Sequence, residues 1–174
     1  MADDSDEDNP LPRWLEGDSL APPCQAGYDV VQALLEFAGV TAKDIVYDLG
    51  CGDGRFCTEA AEKFGARSCG IEIEEDLVQS FRAAVEAKGL QQRVRVVHGD
   101  LLEQDLSDAT IIVMYLLPEA LALLEPKLIR ELSRGCVVVC NTWGLKSLVP
   151  VRQAAVGPFS QTNLLMYTRD SLPP

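Results

Sequence analysis

Residues 44–55 read DIVYDLGCGDGR, and this stretch is the most informative one in the chain about its fold. A short apolar run ends in the acid Asp48, and glycines then occupy every second position at Gly50, Gly52 and Gly54. A segment with helical spacing follows, so the pattern predicts a strand, a tight turn and the start of a helix. Because glycine has no Cβ, its backbone N–H groups can approach a small ligand closely. The turn therefore indicates a ligand site.

The side chains around the glycine turn narrow the choice of ligand. The dinucleotide fingerprint G-x-G-x-x-G needs a third glycine where this chain has Arg55, and the G-K-[ST] ending of a P-loop is absent. Asp48 and Asp53 flank the turn and would repel a pyrophosphate. A ligand with cationic groups and ribose hydroxyls suits these acids better. S-adenosylmethionine fits, because it carries an ammonium, a sulfonium and an adenosine.

Apolar spacing divides most of the chain into alternating helices and strands. Helices are predicted at about 27–37, 55–64 and 74–87, and strands at about 44–48, 68–73, 93–97, 110–116 and 135–141. Pro118 is placed to start a further helix. Pro126 falls inside the same apolar pattern and predicts a break into two helices, at about 118–124 and 126–133.

The end of the chain has a different pattern from its middle. Residues 149–156 and 163–169 are predicted to form two strands of a hairpin across Gly157-Pro158. The alternating elements upstream require a parallel sheet with helices on both faces. We therefore predict an α/β fold, a Rossmann-like, doubly wound, mostly parallel seven-stranded sheet with a C-terminal antiparallel hairpin strand. Ligands of such sheets bind at the carboxyl ends of the strands, where the polar residues are Asp48, Glu72, Asp100, Tyr115 and Asn141.

The charge of the chain is unevenly distributed. The formal net charge is −12, and residues 1–18 account for half of it with seven acidic side chains and one basic one. We expect residues 1–20 to form an acidic, disordered tail and residues 21–174 to form a single domain. Nucleic acid is not an expected partner, since phosphate binding needs clustered lysine and arginine.

The six cysteines indicate a reducing compartment. None of them forms a C-x-x-C pair, and the chain has a single histidine, His98, so we predict no metal site. No signal peptide and no apolar run of about 18 residues is visible in the sequence. We expect a monomeric cytoplasmic protein without a membrane span, and a mitochondrial location is the alternative.

Three acidic motifs match a known family. Residues 48–54, DLGCGDG, resemble motif I of the class I, or seven-strand, S-adenosylmethionine-dependent methyltransferases. Glu72 in the sequence Gly-Ile-Glu matches the acid after strand 2 of that family, and Asp100 in Gly-Asp-Leu matches the acid after strand 3. The resemblance spans about residues 26–170 and implies an enzyme that uses S-adenosylmethionine as its co-substrate.

The resemblance also implies a role for each cofactor-site residue. Glu72 would accept hydrogen bonds from the ribose hydroxyls, and Asp100 would bind the adenine amino group beside the N–H of Leu101. Asp48 would orient the glycine turn near the methionine ammonium. The full set of implied cofactor-binding residues is Asp48, Gly50, Cys51, Gly52, Gly54, Glu72, Asp100 and Leu101.

For several residues the sequence leaves a structural alternative open. Glu72 can instead be an exposed acid before the following helix, and Asp53 can cap the helix after the glycine turn. Tyr28 can cover the methionine end of the cofactor or simply pack. His98 could act as a general base, but we favour a structural role for it as the residue that ends strand 3.

The residues after strand 4 concern the methyl acceptor. Enzymes that methylate amide or base nitrogens often carry [DN]-P-P-[YF] there, whereas residues 114–119 of this chain read MYLLPE. That sequence, with Pro126-Lys127-Leu128, is similar to a subgroup of protein-lysine methyltransferases that includes those acting on mitochondrial carriers and on the c-subunit of ATP synthase. The similarity implies a protein lysine as acceptor. Tyr115 and Asn141 are the candidate acceptor-pocket residues, with Trp143 beside them.

Two other functions remain open at this point. The compact size, without a separate substrate domain, is compatible with a small-molecule methyltransferase. A non-catalytic binding module that keeps the methyltransferase fold is the third hypothesis.

Overall fold

Strands and helices alternate along the chain, as the apolar spacing predicts. The computed structural model describes residue 21 and residues 25–174, so the predicted acidic tail lies outside the described residues. The helices are α1 (Tyr28–Ala38), α2 (Arg55–Phe64), α3 (Glu75–Ala87) and α4 (Pro118–Ser133). The strands are β1 (Ile45–Leu49), β2 (Arg67–Glu72), β3 (Val94–His98), β4 (Ile111–Met114), β5 (Val137–Asn141), β6 (Arg152–Val156) and β7 (Thr162–Tyr167).

The seven strands form one sheet in the order β3-β2-β1-β4-β5-β7-β6. Strands β1 to β5 are parallel to their neighbours, whereas β7 runs antiparallel to β5 and β6 runs antiparallel to β7. Strand β1 pairs with both β2 and β4. Strands β2 and β3 are therefore added on one side of β1 and the later strands on the other, so the switch point of the strand order lies between β1 and β4. The predicted fold class, including the terminal antiparallel hairpin, is confirmed.

Helices cover the two faces of the sheet unequally. On one face, α1 and α2 place apolar side chains such as Leu34 and Phe56 against Val46 and Val113 of the central strands. On the other face, a second cluster joins leucines of α4 to the sheet, among them Leu124 packed with Ile112. Both faces of the sheet are therefore buried. Successive side chains of each strand point alternately to one face and to the other.

The predicted break at Pro126 is wrong, because α4 is continuous from Pro118 to Ser133. Leu121, Leu124 and Leu128 are buried on both sides of the proline, so the packing of one long stripe favours a continuous helix. Proline removes one N–H group, which leaves the carbonyl of Ala122 without its helical donor. Ala122 and Pro126 both lie on the exposed side of the helix, where water can hydrate that carbonyl.

One edge of the sheet collects the polar residues that the sequence singled out. Parallel strands β1 to β5 all end at this edge, where Glu72 is the last residue of β2 and Asn141 the last residue of β5. The turn between β6 and β7 lies at the same edge, because Asn141 pairs with Leu164 near the start of the antiparallel β7. Doubly wound folds bind their ligands at this edge.

Candidate active site

The glycine turn wraps tightly between β1 and α2. Gly50, Gly52 and Gly54 all have positive φ angles, of 74°, 56° and 80°. A Cβ at Gly54 would lie 1.9 Å from Cδ2 of Phe81, whereas the nearest atom to a Cβ at Gly52 is the side-chain nitrogen of Gln25 at 3.4 Å. Gly54 is therefore required for packing against α3, while Gly52 leaves its backbone facing the edge of the sheet.

Glu72 accepts hydrogen bonds from backbone N–H groups in the glycine turn and in the segment between β2 and α3. Its Oε2 accepts a hydrogen bond from Gly52 N at 2.8 Å, and its Oε1 accepts from Ile73 N at 2.9 Å and Glu74 N at 3.0 Å. The side chain is 6% exposed, so the alternative of an exposed acid is wrong. Glu72 thus fixes the glycine turn relative to the start of α3.

Asp48 is a buried acid with an unsatisfied oxygen. It is 3% exposed, and its Oδ2 has no hydrogen-bond partner among the described residues. Burial, together with the nearby carboxylates of Glu72 and Asp53, raises the pKa of Asp48 to about 8. A buried carboxylate under these conditions is stabilised by a cationic partner. The site therefore fits a ligand with a positive charge at this point.

Arg55 anchors the segment before α1 over the glycine turn. Its guanidinium forms two bonds to Asp53, Nε to Oδ1 at 3.1 Å and Nη2 to Oδ2 at 2.8 Å. It also donates to the carbonyl of Ala26 at 2.8 Å and to the side chain of Gln25. The guanidinium carbon Cζ of Arg55 lies 4.9 Å from the centre of the Tyr28 ring. Oδ1 of Asp53 also accepts a hydrogen bond from the backbone N–H of Arg55 at 3.3 Å, but the N-cap residue of the helix is Gly54 and not Asp53.

A lysine of α4 stabilises the turn that follows β3. Asp100 Oδ1 accepts a hydrogen bond from Leu102 N at 2.8 Å, and Leu101 is 8% exposed. The ammonium of Lys127 in α4 donates to the carbonyls of Leu102, at 2.7 Å, and Gln104, at 2.5 Å. Lys127 belongs to a family motif, but its sequence context indicated no role for it. Its contacts fix the turn that carries Asp100 and Leu101.

His98 has a structural role, which was the favoured interpretation of its sequence. Its Nδ1 lies 2.9 Å from Oε2 of Glu75, and its Nε2 lies 3.0 Å from the carbonyl of Ile73. These contacts join the end of β3 to the start of α3.

Ile73 is 51% exposed although it is apolar and directly follows Glu72. No pattern in the sequence pointed to this apolar surface at the edge.

The candidate acceptor residues lie at the ends of β4 and β5. The rings of Tyr115 and Trp143 stack with 5.9 Å between centroids and 20° between planes. Asn141 is 2% exposed, and its Oδ1 accepts a hydrogen bond from Oγ1 of Thr142 at 2.9 Å. Tyr115, Asn141 and Trp143 thus all lie where β4 and β5 end, and the rings of Tyr115 and Trp143 contact each other. Thr142, with a φ of 70°, was not found by sequence reasoning.

Three general features bear on the sequence-based predictions. Across residue 21 and residues 25–174, no group of His, Cys, Asp and Glu side chains is arranged to hold a metal ion. In the same part of the chain, no helix has the length and apolarity to cross a membrane. Five of the six cysteines are described there as free and buried, at positions 51, 57, 69, 136 and 140.

Comparisons with known proteins agree with this geometry. The family model of the ANTKMT methyltransferase domain matches residues 48–152. A protein-lysine N-methyltransferase of Saccharolobus islandicus (strain REY15A) is 39% identical over 122 residues, which cover 70% of this chain and 76% of that protein. A Xenopus laevis lysine N-methyltransferase of the ATP synthase c-subunit is 30% identical over 106 residues, 61% of this chain and 46% of that protein.

A solved structure shows the same fold with a bound product of methyl transfer. It is the crystal structure of an RNA methyltransferase from Salinibacter ruber in complex with S-adenosyl-L-homocysteine, with a TM-score of 0.81 and 36% identity. The match covers 87% of this chain and 97% of that one. From its fold, its motifs and these matches, the chain belongs to the ANTKMT methyltransferase family and is an S-adenosylmethionine-dependent methyltransferase.

Proposed function

We propose that this methyltransferase transfers the methyl group to the side-chain amine of a protein lysine. The observation that carries the proposal is the 39% identity with the Saccharolobus protein-lysine N-methyltransferase, over 70% of this chain. The similarity to the Xenopus lysine N-methyltransferase of ATP synthase supports the same acceptor class. The acidic balance of the chain, 27 acids against 15 lysines and arginines, suits a basic segment of an acceptor protein.

In this proposal the cofactor is held at the ends of β1, β2 and β3. The unsatisfied oxygen of Asp48 binds the ammonium of the methionine moiety. Glu72 accepts three hydrogen bonds from backbone N–H groups, which leaves an acceptor site on Oε2 for a ribose hydroxyl. Asp100 and the N–H of Leu101 bind the adenine. The glycine turn with Gly50, Cys51 and Gly52 completes the proposed cofactor site, and Gly54 maintains the packing of the turn.

The exposed side chain of Ile73 adds an apolar surface for the adenine ring. It directly follows Glu72 and is 51% exposed at the edge of the sheet. A flat aromatic ring gains dispersion and hydrophobic contact from such a surface. Ile73 and Leu101 would then contact the ring from two strand ends, while Asp100 reads its amino group.

Tyr115 and Asn141 form the acceptor pocket in this proposal, with Trp143 stacked on Tyr115. Bound S-adenosylmethionine supplies a methyl group on a sulfonium, which is a strong electrophile. The protein then has to bring a neutral amine into line, which depends mainly on proximity. A partly buried pocket disfavours the charged ammonium and so promotes loss of its proton. The Trp143 ring attracts the incoming cation before it loses that proton.

The proposal is tested by radiolabelled methyl transfer from S-adenosylmethionine into a lysate. We expect label in proteins, recovered as methyllysine after hydrolysis, and loss of labelling with Asp48→Ala and Glu72→Ala. Reductive dimethylation of the lysate proteins before the reaction blocks lysines and should abolish the label. Label that persists after lysine blocking would contradict the lysine acceptor, and label that persists in both variants would contradict the cofactor site.

An RNA acceptor is the second candidate, because the Salinibacter structure is that of an RNA methyltransferase with 36% identity. The excess of acidic residues in this chain disfavours binding to phosphates. Ribonuclease digestion of the labelled lysate separates the two acceptors. Label that becomes acid-soluble after digestion would favour RNA over protein. Label found only in small metabolites would instead favour the small-molecule alternative.

A single domain over residues 21–174, a monomeric state and a cytoplasmic location complete the proposal. The apolar clusters on the two faces of one sheet support the single domain. The free, buried cysteines support a reducing compartment. Sedimentation equilibrium of the purified chain tests the monomer, and a concentration-dependent mass would contradict it.

A further inference from the structure

Strand β5 ends in a strained turn beside the candidate acceptor pocket. The N–H of Trp143 donates to the carbonyl of Asn141 at 2.9 Å, and the residue between them, Thr142, has a φ of 70°. A hydrogen bond between residues i and i+2 across a positive φ defines the rarer, strained form of the γ-turn. A β-branched residue at positive φ is a conformational outlier, so this position would accommodate glycine or asparagine more easily.

Two hydrogen bonds hold Thr142 in this conformation. Its backbone N–H donates to the carbonyl of Asn163 in β7 at 2.7 Å. Its hydroxyl donates to Oδ1 of Asn141 at 2.9 Å. The first bond needs only a backbone, whereas the second depends on the threonine side chain. Backbone strain that persists at such a place is associated with function.

The consequence of the turn is seen in the residues on either side of it. Asn141 is 2% exposed, and its side-chain oxygen accepts a hydrogen bond from the Thr142 hydroxyl. The chain reversal places the Trp143 ring 5.9 Å from the Tyr115 ring. Thr142 therefore contacts a buried amide through its side chain and directs the chain towards the stacked Trp143 ring through its backbone.

We propose that Thr142 is a positioning residue for the acceptor amine. Its hydroxyl keeps the same face of the Asn141 amide towards the amine in every turnover, and its strained turn keeps Trp143 stacked on Tyr115. This inference rests on the proposed acceptor pocket. It explains why the position carries a hydroxyl despite the conformational cost of a β-branched residue there.

Three variants separate the hydroxyl from the strain. Thr142→Val keeps the shape and loses the hydrogen bond, so kcat should fall about five- to tenfold. Thr142→Gly loses the bond and also relieves the strained turn, so kcat should fall at least as much as in Thr142→Val while Tm rises by roughly 2–4 °C. Thr142→Ser restores the hydroxyl and should recover most of the lost kcat. The affinity for S-adenosylhomocysteine, measured by calorimetry, should change by less than about twofold in all three.

A matched control is Ser160→Gly, which relieves a left-handed residue with a φ of 54° at the turn between β6 and β7. It should change kcat by less than about twofold. A Thr142→Val enzyme with the kcat of the wild type would overturn the role of the hydroxyl. An equal loss of kcat in Ser160→Gly would show general loosening of the edge and would also overturn the proposal.

A spectroscopic readout keeps this test separate from that of the acceptor. The chain has two tryptophans, Trp14 and Trp143, so a Trp14→Phe background reports Trp143 alone. Thr142→Gly, which relieves the strained turn, should shift its emission, whereas Thr142→Val and Thr142→Ser, which keep the turn, should not. If the wild-type enzyme labels no protein lysine, the proposed function fails. The emission of Trp143 still decides whether Thr142 positions that ring, and an unchanged spectrum in all variants would contradict it.

Discussion

At the proposed cofactor end of the site, carboxylates bind backbone N–H groups, whereas at the proposed acceptor end two aromatic rings stack beside a strained turn. The cofactor end depends on a local motif, residues 48–54, and on two acids that follow neighbouring strands. The acceptor end combines aromatic side chains that come just after β4 and β5 and belong to no such motif. S-adenosylmethionine has the same structure for every enzyme that uses it, so a fixed motif can recognise it. The methyl acceptor differs between enzymes, so the residues that recognise it are not confined to one motif.

The two ends also differ in how charge is used. Asp48 is buried with an unsatisfied oxygen, so the free enzyme carries an electrostatic cost there that a bound cation relieves. Tyr115 and Trp143 are only partly buried, and their rings offer an apolar surface with a π face. Substitutions at the first end should therefore alter cofactor affinity, and substitutions at the second end should alter turnover.

The largest effect is expected from Gly54→Ala, which would disrupt the cofactor end through its packing. The new Cβ would lie 1.9 Å from the Phe81 ring, at a position with a φ of 80°. We expect a loss of about 3 kcal/mol or more in the free energy of unfolding. Thermal denaturation measures it. Gly39→Ala is the control, because it has a φ of 72° with no atom within 4 Å of the new Cβ. Equal losses in the two variants would contradict the contact with Phe81.

Asp48→Asn should separate affinity from stability at the cofactor end. We expect the affinity for S-adenosylhomocysteine, which keeps the ammonium, to fall roughly 10- to 100-fold, in line with the loss of a hydrogen bond to a charged group. The free protein should become more stable at neutral pH, because folding raises the pKa of Asp48 and forces the uptake of a proton, a cost that asparagine does not have. Calorimetry and thermal denaturation measure the two effects. Asp76→Asn removes an exposed acid near the same edge and should change neither.

The pKa of Asp48, about 8, predicts a pH dependence of cofactor binding. The ammonium favours the ionised form, so the affinity for S-adenosylhomocysteine should rise on the order of tenfold from pH 6.5 to 8.5. The stability of the free protein should change in the opposite sense. The folded state holds the Asp48 proton up to about pH 8 and the unfolded state only to about pH 4, so this contribution to stability falls as pH rises between them.

The same titrations in Asp48→Asn give the control for this pH dependence. Without an ionisable group at position 48, the rise in affinity above pH 6.5 should disappear. A profile that persists unchanged in the variant would show that another group is responsible.

Trp143→Ala tests the acceptor end. Loss of the ring that stacks on Tyr115 should lower kcat/KM for the protein acceptor about tenfold, because both the cation–π attraction and the ring contact are lost. The affinity for S-adenosylhomocysteine should stay within about twofold of the wild type. Trp143→Phe keeps an aromatic face and should recover part of the activity. A drop in cofactor affinity equal to that in kcat/KM would contradict the division of the site into two ends.

The smallest effect is expected from Lys127→Met, which acts on the cofactor end from outside it. Lys127 donates to the carbonyls of Leu102 and Gln104, and its loss should loosen the turn that carries Asp100. The affinity for S-adenosylhomocysteine should fall about three- to tenfold, the worth of about one hydrogen bond. Arg130→Met, on the exposed side of the same helix, is the matched control. Similar affinities in both variants would show that the turn is held by other contacts.

Much of the fold and of the cofactor end depends on local patterns and so could be predicted from the sequence. The glycine turn, the alternation of strands and helices and the acids Glu72 and Asp100 follow from periodicity and from a motif in which adjacent residues act together. The continuous α4 could not be predicted, because a local rule for Pro126 is outweighed by the burial of a long apolar stripe.

The order of residue types along the chain was enough to predict the fold, the class of enzyme and its cofactor, and to propose the edge of the sheet where the site lies. The three-dimensional arrangement was needed to see that Arg55 anchors the segment before α1 and that Lys127 holds the turn after β3. It was also needed to see that Thr142 adopts a strained conformation beside Asn141. These contacts join residues that are distant in sequence or depend on backbone geometry, and neither distance in space nor a φ angle is written in the pattern of residue types.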